Sequence, residues 1–120
     1  MQRRLIALLV AVSAAASASE EQDAPQVMRY AIAHGHATAT IGGPLAEESR
    51  RRLNATGQLH LAVQRIYAFE QPDCARLQLD FKQEDALPPG AAQPRPYSWS
   101  TQMSVCADGR PPVDPARRSK

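Results

Sequence analysis

The sequence has 120 residues, of which 43% are hydrophobic, with two cysteines and a formal net charge of +2. A chain of this length forms one domain with a modest core. Two of the fourteen basic residues and none of the twelve acidic residues lie in residues 1–18, so the remaining chain has as many basic as acidic side chains. This balance excludes an electrostatic argument for nucleic acid or an anionic membrane as the partner.

The first eighteen residues have the pattern of a secretory signal peptide. Arg3 and Arg4 precede an apolar run, and residues 16–18 match the small-residue pattern of a cleavage site. The run is far shorter than the roughly 20 residues that cross a bilayer. We therefore expect cleavage near Ala18 and a periplasmic or secreted protein without a membrane span. The predicted divisions are a signal peptide (1–18), a flexible leader (19–26), a single small domain (27–106) and a disordered tail (107–120).

The domain begins with an ambiguous segment and a short helix. Residues 27–41 combine strand-forming residues with scattered alanine, so the pattern is compatible with a strand or with a helix over residues 24–33. After two glycines, residues 44–53 predict a helix. Proline suits the first position of this helix, two glutamates lie near its positive end, and three arginines lie near its negative end.

Three later segments have strand patterns. Residues 58–70 form the longest candidate, and a turn at residues 71–73 follows. Residues 75–81 and 97–105 alternate between apolar and polar side chains, which is typical of half-buried strands. We predict a small α+β domain in which an antiparallel meander of three or four strands carries one short helix. An all-β sandwich is the alternative.

The two cysteines set a register for the last two strands. If Cys74 lies opposite Cys106, the apolar positions of both strands share one face, and both cysteines lie on the polar face. This register places three pairs opposite each other: Leu77 and Met103, Leu79 and Thr101, and Phe81 and Trp99. We therefore predict a cross-strand disulfide, and not a buried core pair, in an exported protein.

The long strand offers two interpretations at Arg65. Pairing by apolar phase puts Phe69 opposite Leu77 and Arg65 opposite Phe81, where the guanidinium would lie over an aromatic ring. A β-bulge at this point would instead turn Arg65 to solvent and bring Ile66 into the core.

The stretch between the last two strands, residues 84–96, is rich in proline and long for a hairpin connection. Loops of this length are often functional, and prolines favour an extended conformation that loses little entropy on binding. We therefore assign partner binding to six residues of this stretch: Pro88, Pro89, Gly90, Pro94, Arg95 and Pro96.

The sequence contains no specific catalytic or metal-binding pattern. His34 and His36 lie two residues apart, and His60 could supply a third nitrogen, but no carboxylate or thiolate accompanies them. They are weak metal candidates, and we expect no metal and no cofactor. No serine lies in a nucleophile elbow, and the cysteines are not in a C-x-x-C arrangement. We expect a protein that is not an enzyme.

Two runs, QLHLAVQRIYAFEQPDCARLQLDF (residues 58–81) and SWSTQMSVCADG (residues 98–109), resemble small exported proteins of unassigned function. These proteins are carried by proteobacterial conjugative and integrative elements, near type IV secretion genes. The resemblance implies a periplasmic accessory module with a protein partner in the cell envelope, associated with a conjugation or secretion apparatus. A secreted inhibitor or effector that acts on a partner enzyme is the alternative function. The oligomeric state is left open.

Overall fold

The computed structural model describes residues 20–117 and contains two helices and one antiparallel sheet. In chain order the elements are α1 (Ala24–His34), β1 (His36–Ile41), α2 (Gly43–Leu53), β2 (Leu59–Ala68), β3 (Cys74–Ala86) and β4 (Arg95–Cys106). The strands lie in the order β1-β2-β3-β4. The predicted α+β class, with four strands and one disulfide, is confirmed. The structure has two helices rather than one and a single sheet rather than a sandwich.

The described residues include most of the predicted leader and most of the predicted tail. The predicted signal peptide lies outside the described residues. α1 begins at Ala24, inside the segment expected to be a flexible leader. Residues 107–117 contain no helix or strand, but they contact the β2–β3 connection, because the Ala107 N–H donates to the Asp73 carbonyl and the Glu70 N–H donates to the Arg117 carbonyl. No helix in residues 20–117 is long and apolar enough to cross a membrane.

α1 resolves the ambiguous segment as a helix. Val27 and Ala31 lie one helical turn apart and are both buried. The helix ends at Gly35, whose φ of 98° is in the left-handed region that favours glycine and whose N–H donates to the Ala31 carbonyl. The glycine lets the chain reverse directly into β1, so α1 lies back against the sheet.

The core lies between the two helices and one face of the sheet. Its strand residues alternate along each strand, as expected for a sheet with one covered face. The buried members are Val27, Ala31, Ile32, Ala37, Ile41, Ala46, Leu59, Leu61, Val63, Ala75, Leu77, Leu79, Phe81 and Val105. The opposite face, which we call the open face, carries mainly polar side chains.

The predicted register of the last two strands is confirmed. β3 and β4 pair with Cys74 opposite Cys106 and Phe81 opposite Trp99, and the other predicted pairs agree. The Phe81 and Trp99 rings stack on the helix-covered face, with centroids 5.0 Å apart. Cysteine pairing and hydrophobic phase therefore specify the same alignment of these two strands.

The predicted register between β2 and β3 is wrong. Arg65 lies opposite Leu77, not Phe81, and the register shifts between Arg65 and Tyr67. The bulge alternative is therefore correct in its position and in the exposure of Arg65, but Ile66 is 44% exposed and does not enter the core. The Arg65 Nη1 donates to the Ile32 carbonyl at 2.7 Å and thereby satisfies a carbonyl of the last turn of α1. The guanidinium of Arg65 therefore contacts the end of a helix and not an aromatic ring.

The bulge also changes the surroundings of the disulfide. After the register shift, Tyr67 lies opposite Arg76, so this end of β2 presents its aromatic residues to the open face. Phe69 packs there on Cys74 and Cys106, with Tyr67 beside it, in a second small hydrophobic cluster. The disulfide joins neighbouring strands on the face opposite the core, as predicted, but both cysteines are buried, and the prediction that they would not be is wrong.

We expect the disulfide to supply a large share of the stability. Replacing both cysteines by alanine should lower the free energy of unfolding by about 3–4 kcal/mol in the chain-entropy model. Urea unfolding of the double variant, beside reduced wild type as the control, measures this loss. Thiol labelling of denatured, unreduced protein should find no free sulfhydryl, and two reactive thiols would contradict the register of β3 and β4.

Arg65→Leu should lower the free energy of unfolding by about 1–2 kcal/mol, because the last turn of α1 loses a charge-assisted hydrogen bond. Urea unfolding is the measurement, and Arg65→Lys, which keeps the charge, is the matched control. A double-mutant cycle with Trp99→Leu should give a coupling energy near zero, since the two side chains are not in contact in this register. A clear coupling would restore the aromatic-stacking interpretation.

Candidate protein-binding surface

The proline-rich loop is shorter than the sequence predicts. β3 continues to Ala86, which is buried opposite Arg95, so Arg95 and Pro96 belong to β4. At the start of the remaining loop, residues 87–94, the Leu87 N–H donates to the Leu53 carbonyl and attaches the loop to α2. Beyond that point Pro89 and Gly90 are exposed. The loop protrudes, and its predicted role in partner binding stays a prediction.

The three histidines are not brought together. His34 ends α1 and lies against the Tyr30 ring, with centroids 4.3 Å apart. His36 lies opposite Gln64 at one end of the β1–β2 pairing, and His60 lies opposite Thr40 towards the other end. Within residues 20–117, no group of three or more histidine, cysteine, aspartate or glutamate side chains could hold a metal ion.

The open face has one row of polar contacts that superficially resembles a catalytic set. The His60 Nδ1 lies 3.4 Å from the Thr40 Oγ1, and its Nε2 lies 3.9 Å from a Glu84 oxygen. Glu84 is also paired with Lys82 at 3.2 Å, and Thr40 is buried. A carboxylate that is shared with lysine and lies this far from the imidazole does not orient the ring as a general base requires. These contacts join β1, β2 and β3.

A shallow depression of about 670 Å³ lies over the middle of the open face. Two pairs of its polar residues contact each other: the Asp80 carboxylate accepts a hydrogen bond from Ser100 at 2.5 Å, and the His60 Nδ1 lies 3.4 Å from the Thr40 Oγ1. A polar, internally bonded sheet face is typical of an antiparallel sheet whose second face is solvated. The depression therefore needs no ligand to explain it.

The backbone of β4 faces outward at alternate residues. The Cys106 N–H donates to the Arg110 carbonyl, and the Cys106 carbonyl accepts from the Gly109 N–H, so both Cys106 groups point away from β3. The Cα distance of 3.9 Å between Cys74 and Cys106 agrees with the narrow type of antiparallel pair, in which the two residues do not bond each other. The β3–β4 register then continues unbroken to Tyr97.

Because backbone direction alternates along an antiparallel strand, the direction at Cys106 determines that of the residues before it. The residues whose N–H and C=O groups face the outer side of the sheet are Ser98, Ser100, Gln102 and Ser104. Among the described residues, none of their backbone groups has a partner outside the sheet. β4 therefore presents a row of available donors and acceptors.

Within residues 20–117, this free edge lacks the usual protection. Edge strands are normally protected by charges, proline, bulges or a covering segment. Residues 97–106 contain no charged residue and no proline, and the pairing has no bulge between Tyr97 and Cys106. The other edge, β1, has only six residues, and Gln22 bridges its end through hydrogen bonds with Thr40 and Gly42.

An apolar groove of about 320 Å³ lies beside the free edge, between α2 and the helix-covered face of β4. Leu45 and Tyr97 in this groove are 40% and 46% exposed, and Trp99 and Leu53 also line it. On the rim of the groove, hydrogen bonds from Arg51 and Arg52 lower the pKa of Glu48, and the pKa of Arg51 is raised in turn. The negative charge of Glu48 is thus balanced by arginines of the same helix, and the groove is mainly hydrophobic.

Gln83 holds α2 in the position that forms this groove. Its side chain is completely buried, with Oε1 accepting from the Ser49 hydroxyl at 2.7 Å and Nε2 donating to the Gly57 carbonyl at 2.9 Å. These bonds join α2, the α2–β2 connection and β3. Sequence reasoning missed this residue, although Gln83 continues the odd-numbered phase that contains Phe81 and so points into the core.

Comparison with protein-family models, with curated proteins and with solved structures gives no match.

Gln83→Leu should lower the free energy of unfolding by about 2–4 kcal/mol, because it leaves the buried Ser49 hydroxyl and the Gly57 carbonyl without their partner. Gln78→Leu, the same change on the open face of the same strand, is the matched control and should change stability by less than about 0.5 kcal/mol. Urea unfolding compares the two. Equal effects would mean that Gln83 contributes no specific contact.

Proposed function

We propose that this chain is an exported, non-enzymatic protein-binding module that accepts an extended segment of a partner protein as an added strand along β4. The observation that carries this proposal is the unprotected free edge, with four outward-facing residues and no charge. A long, uncharged edge is a risk for aggregation unless it has a use. Strand addition to an exposed sheet edge is an established mode of peptide recognition.

The groove beside the edge can recognise side chains of the partner segment, which backbone pairing alone does not do. Each backbone hydrogen bond contributes only about 0.5–1.5 kcal/mol net and reads no side chains. Side chains at alternate positions of an added strand would lie on the helix-covered face, next to Tyr97 and Trp99. Burying one large apolar side chain there contributes about 1.5–3 kcal/mol. The surface therefore supports a partner segment with apolar residues at alternate positions.

The location of the partner follows from export. The signal-peptide pattern at residues 1–18 and the Cys74–Cys106 disulfide both favour an extracytoplasmic compartment. The resemblance of residues 58–81 and 98–109 to exported proteins of conjugative elements adds a partner in the envelope part of a conjugation or secretion apparatus. The second candidate, a secreted inhibitor, would instead insert the protruding 87–94 loop into an enzyme.

Ser100→Pro tests the edge directly. Proline at this position removes an N–H that has no partner in the fold, so the melting temperature should stay within a few degrees while strand addition is blocked. The variant and the wild type are immobilised as mature protein and exposed to envelope extract, and each captured protein is quantified. We expect at least a tenfold loss of the specific partner with Ser100→Pro. Ser100→Ala, which keeps the N–H, should bind like wild type.

A second variant, with the 87–94 loop altered, tests the alternative binding element. Replacing residues 88–94 by a glycine-serine linker should leave stability unchanged, because Leu87 and Ala86 remain in place. Strand addition along β4 implies that capture is unchanged as well, whereas the binding role predicted for this loop implies that capture is lost. If this variant loses the partner and Ser100→Pro retains it, the loop is the binding element and the strand-addition proposal is wrong. Capture that is unaffected by either variant also contradicts the proposal.

A further inference from the structure

We propose that the free edge of β4 pairs with β4 of a second copy of this chain. The two strands would run antiparallel about a two-fold axis and join two four-stranded sheets into one of eight strands. This inference rests on the proposed function in one respect, that β4 is a strand-accepting edge. A partner segment would then displace the second copy.

The register follows from the outward-facing residues. Only one antiparallel alignment of β4 with itself uses all four of them, and it places Ser98 opposite Ser104 of the second copy and Ser100 opposite Gln102 of the second copy. In each pair both residues donate one backbone hydrogen bond and accept one. The two-fold axis then passes beside Thr101, which lies opposite Thr101 of the second copy.

The same register gives a complementary arrangement of side chains. On the helix-covered face it places Trp99 opposite Met103 of the second copy, and the symmetry repeats this contact. Both side chains are only partly buried within one copy. A methionine sulfur beside an aromatic ring is favourable, and directly opposed residues on one face are the closest neighbours across a strand pair.

Charge does not oppose the pairing. Residues 96–106 contain no charged side chain, so like charges do not meet across the axis. The nearest charge in β4 is Arg95, which lies beyond the paired residues. On the open face the opposed side chains are serines and glutamine, which tolerate a polar, solvated contact.

The residues that bound the free edge are also those at which the pairing with the second copy would end. At one end, the outward groups of Cys106 are already bonded to Arg110 and Gly109. At the other end, Pro96 has no N–H to donate. These two residues would lie opposite each other in the dimer, so the pairing ends where the groups of Cys106 are already bonded and Pro96 lacks a donor.

The proposed pairing also gives a closed dimer, to which no third copy can be added through β4. A two-fold pairing uses the same edge in both copies and leaves only β1 at the outside of the enlarged sheet. β1 is short, and Gln22 bridges its Ile41 end. The dimer therefore removes the long edge without creating a new one. A contact of one strand and a few side chains is small, and interfaces below about 1,200 Å² are typical of weak, exchangeable complexes.

Sedimentation velocity of the mature protein tests the dimer. We expect a dimer at high concentration that dissociates on dilution, and Ser100→Pro should sediment as a monomer at concentrations where wild type and Ser100→Ala are dimeric. The register is tested by Thr101→Cys, which should form an intermolecular disulfide on mild oxidation, since the two residues face each other at the axis. Tyr97→Cys, which lies far from its symmetry mate, is the matched control and should not.

The outcomes separate this inference from the proposed function. A protein that stays monomeric at every concentration overturns the dimer, whereas partner capture that is sensitive to Ser100→Pro would still support strand addition. A dimer that is insensitive to Ser100→Pro and not cross-linked through Thr101→Cys uses another surface, and this also overturns the inference. A cross-linked dimer that captures no partner supports the inference and contradicts the proposed function.

Discussion

The pairing of β3 with β4 is the constraint on which the rest of the structure depends. The Cys74–Cys106 bond and the stacked rings of Phe81 and Trp99 lie at different points of the same register, so a slip of one residue would break both. That register puts the apolar side chains of both strands under the helices. It also determines which backbone groups of β4 face outward, and thereby the chemical character of the free edge.

The fold has one covered face, and polar side chains of the sheet contact both helices that cover it. The buried Gln83 bonds to Ser49 of α2, and Arg65, which is exposed, bonds to the last turn of α1. Each helix is therefore attached to the sheet by one polar side chain in addition to its apolar residues. The described buried side-chain polar atoms all have partners, as expected where an unpaired group would cost about 1–3 kcal/mol.

Features that are visible as a periodic pattern within a segment can be predicted from the sequence. Features that arise from contacts between segments are harder to predict. The cysteine pairing together with the alternation in residues 75–81 and 97–105 predicted the β3–β4 register, and proline and the charge distribution predicted α2. The bulge after Arg65 was only one of two interpretations, because the contact that Arg65 makes there is with Ile32 of α1, 33 residues earlier in the chain. Gln83 and the free edge of β4 were missed, since burial and strand order are properties of the assembled sheet.

The distribution of charge along the strands is the reverse of the usual one. β3, an inner strand, carries Arg76, Asp80, Lys82 and other charged residues on the open face, whereas β4 at the edge carries only Arg95 at its first position. Charges on an edge strand oppose association, and their absence permits it. The inner strand can tolerate charges because its backbone is fully paired and its open face is solvated. If solubility were the only requirement, those charges would be expected on β4. Their position on β3 therefore supports the pairing of the β4 edge with a further strand.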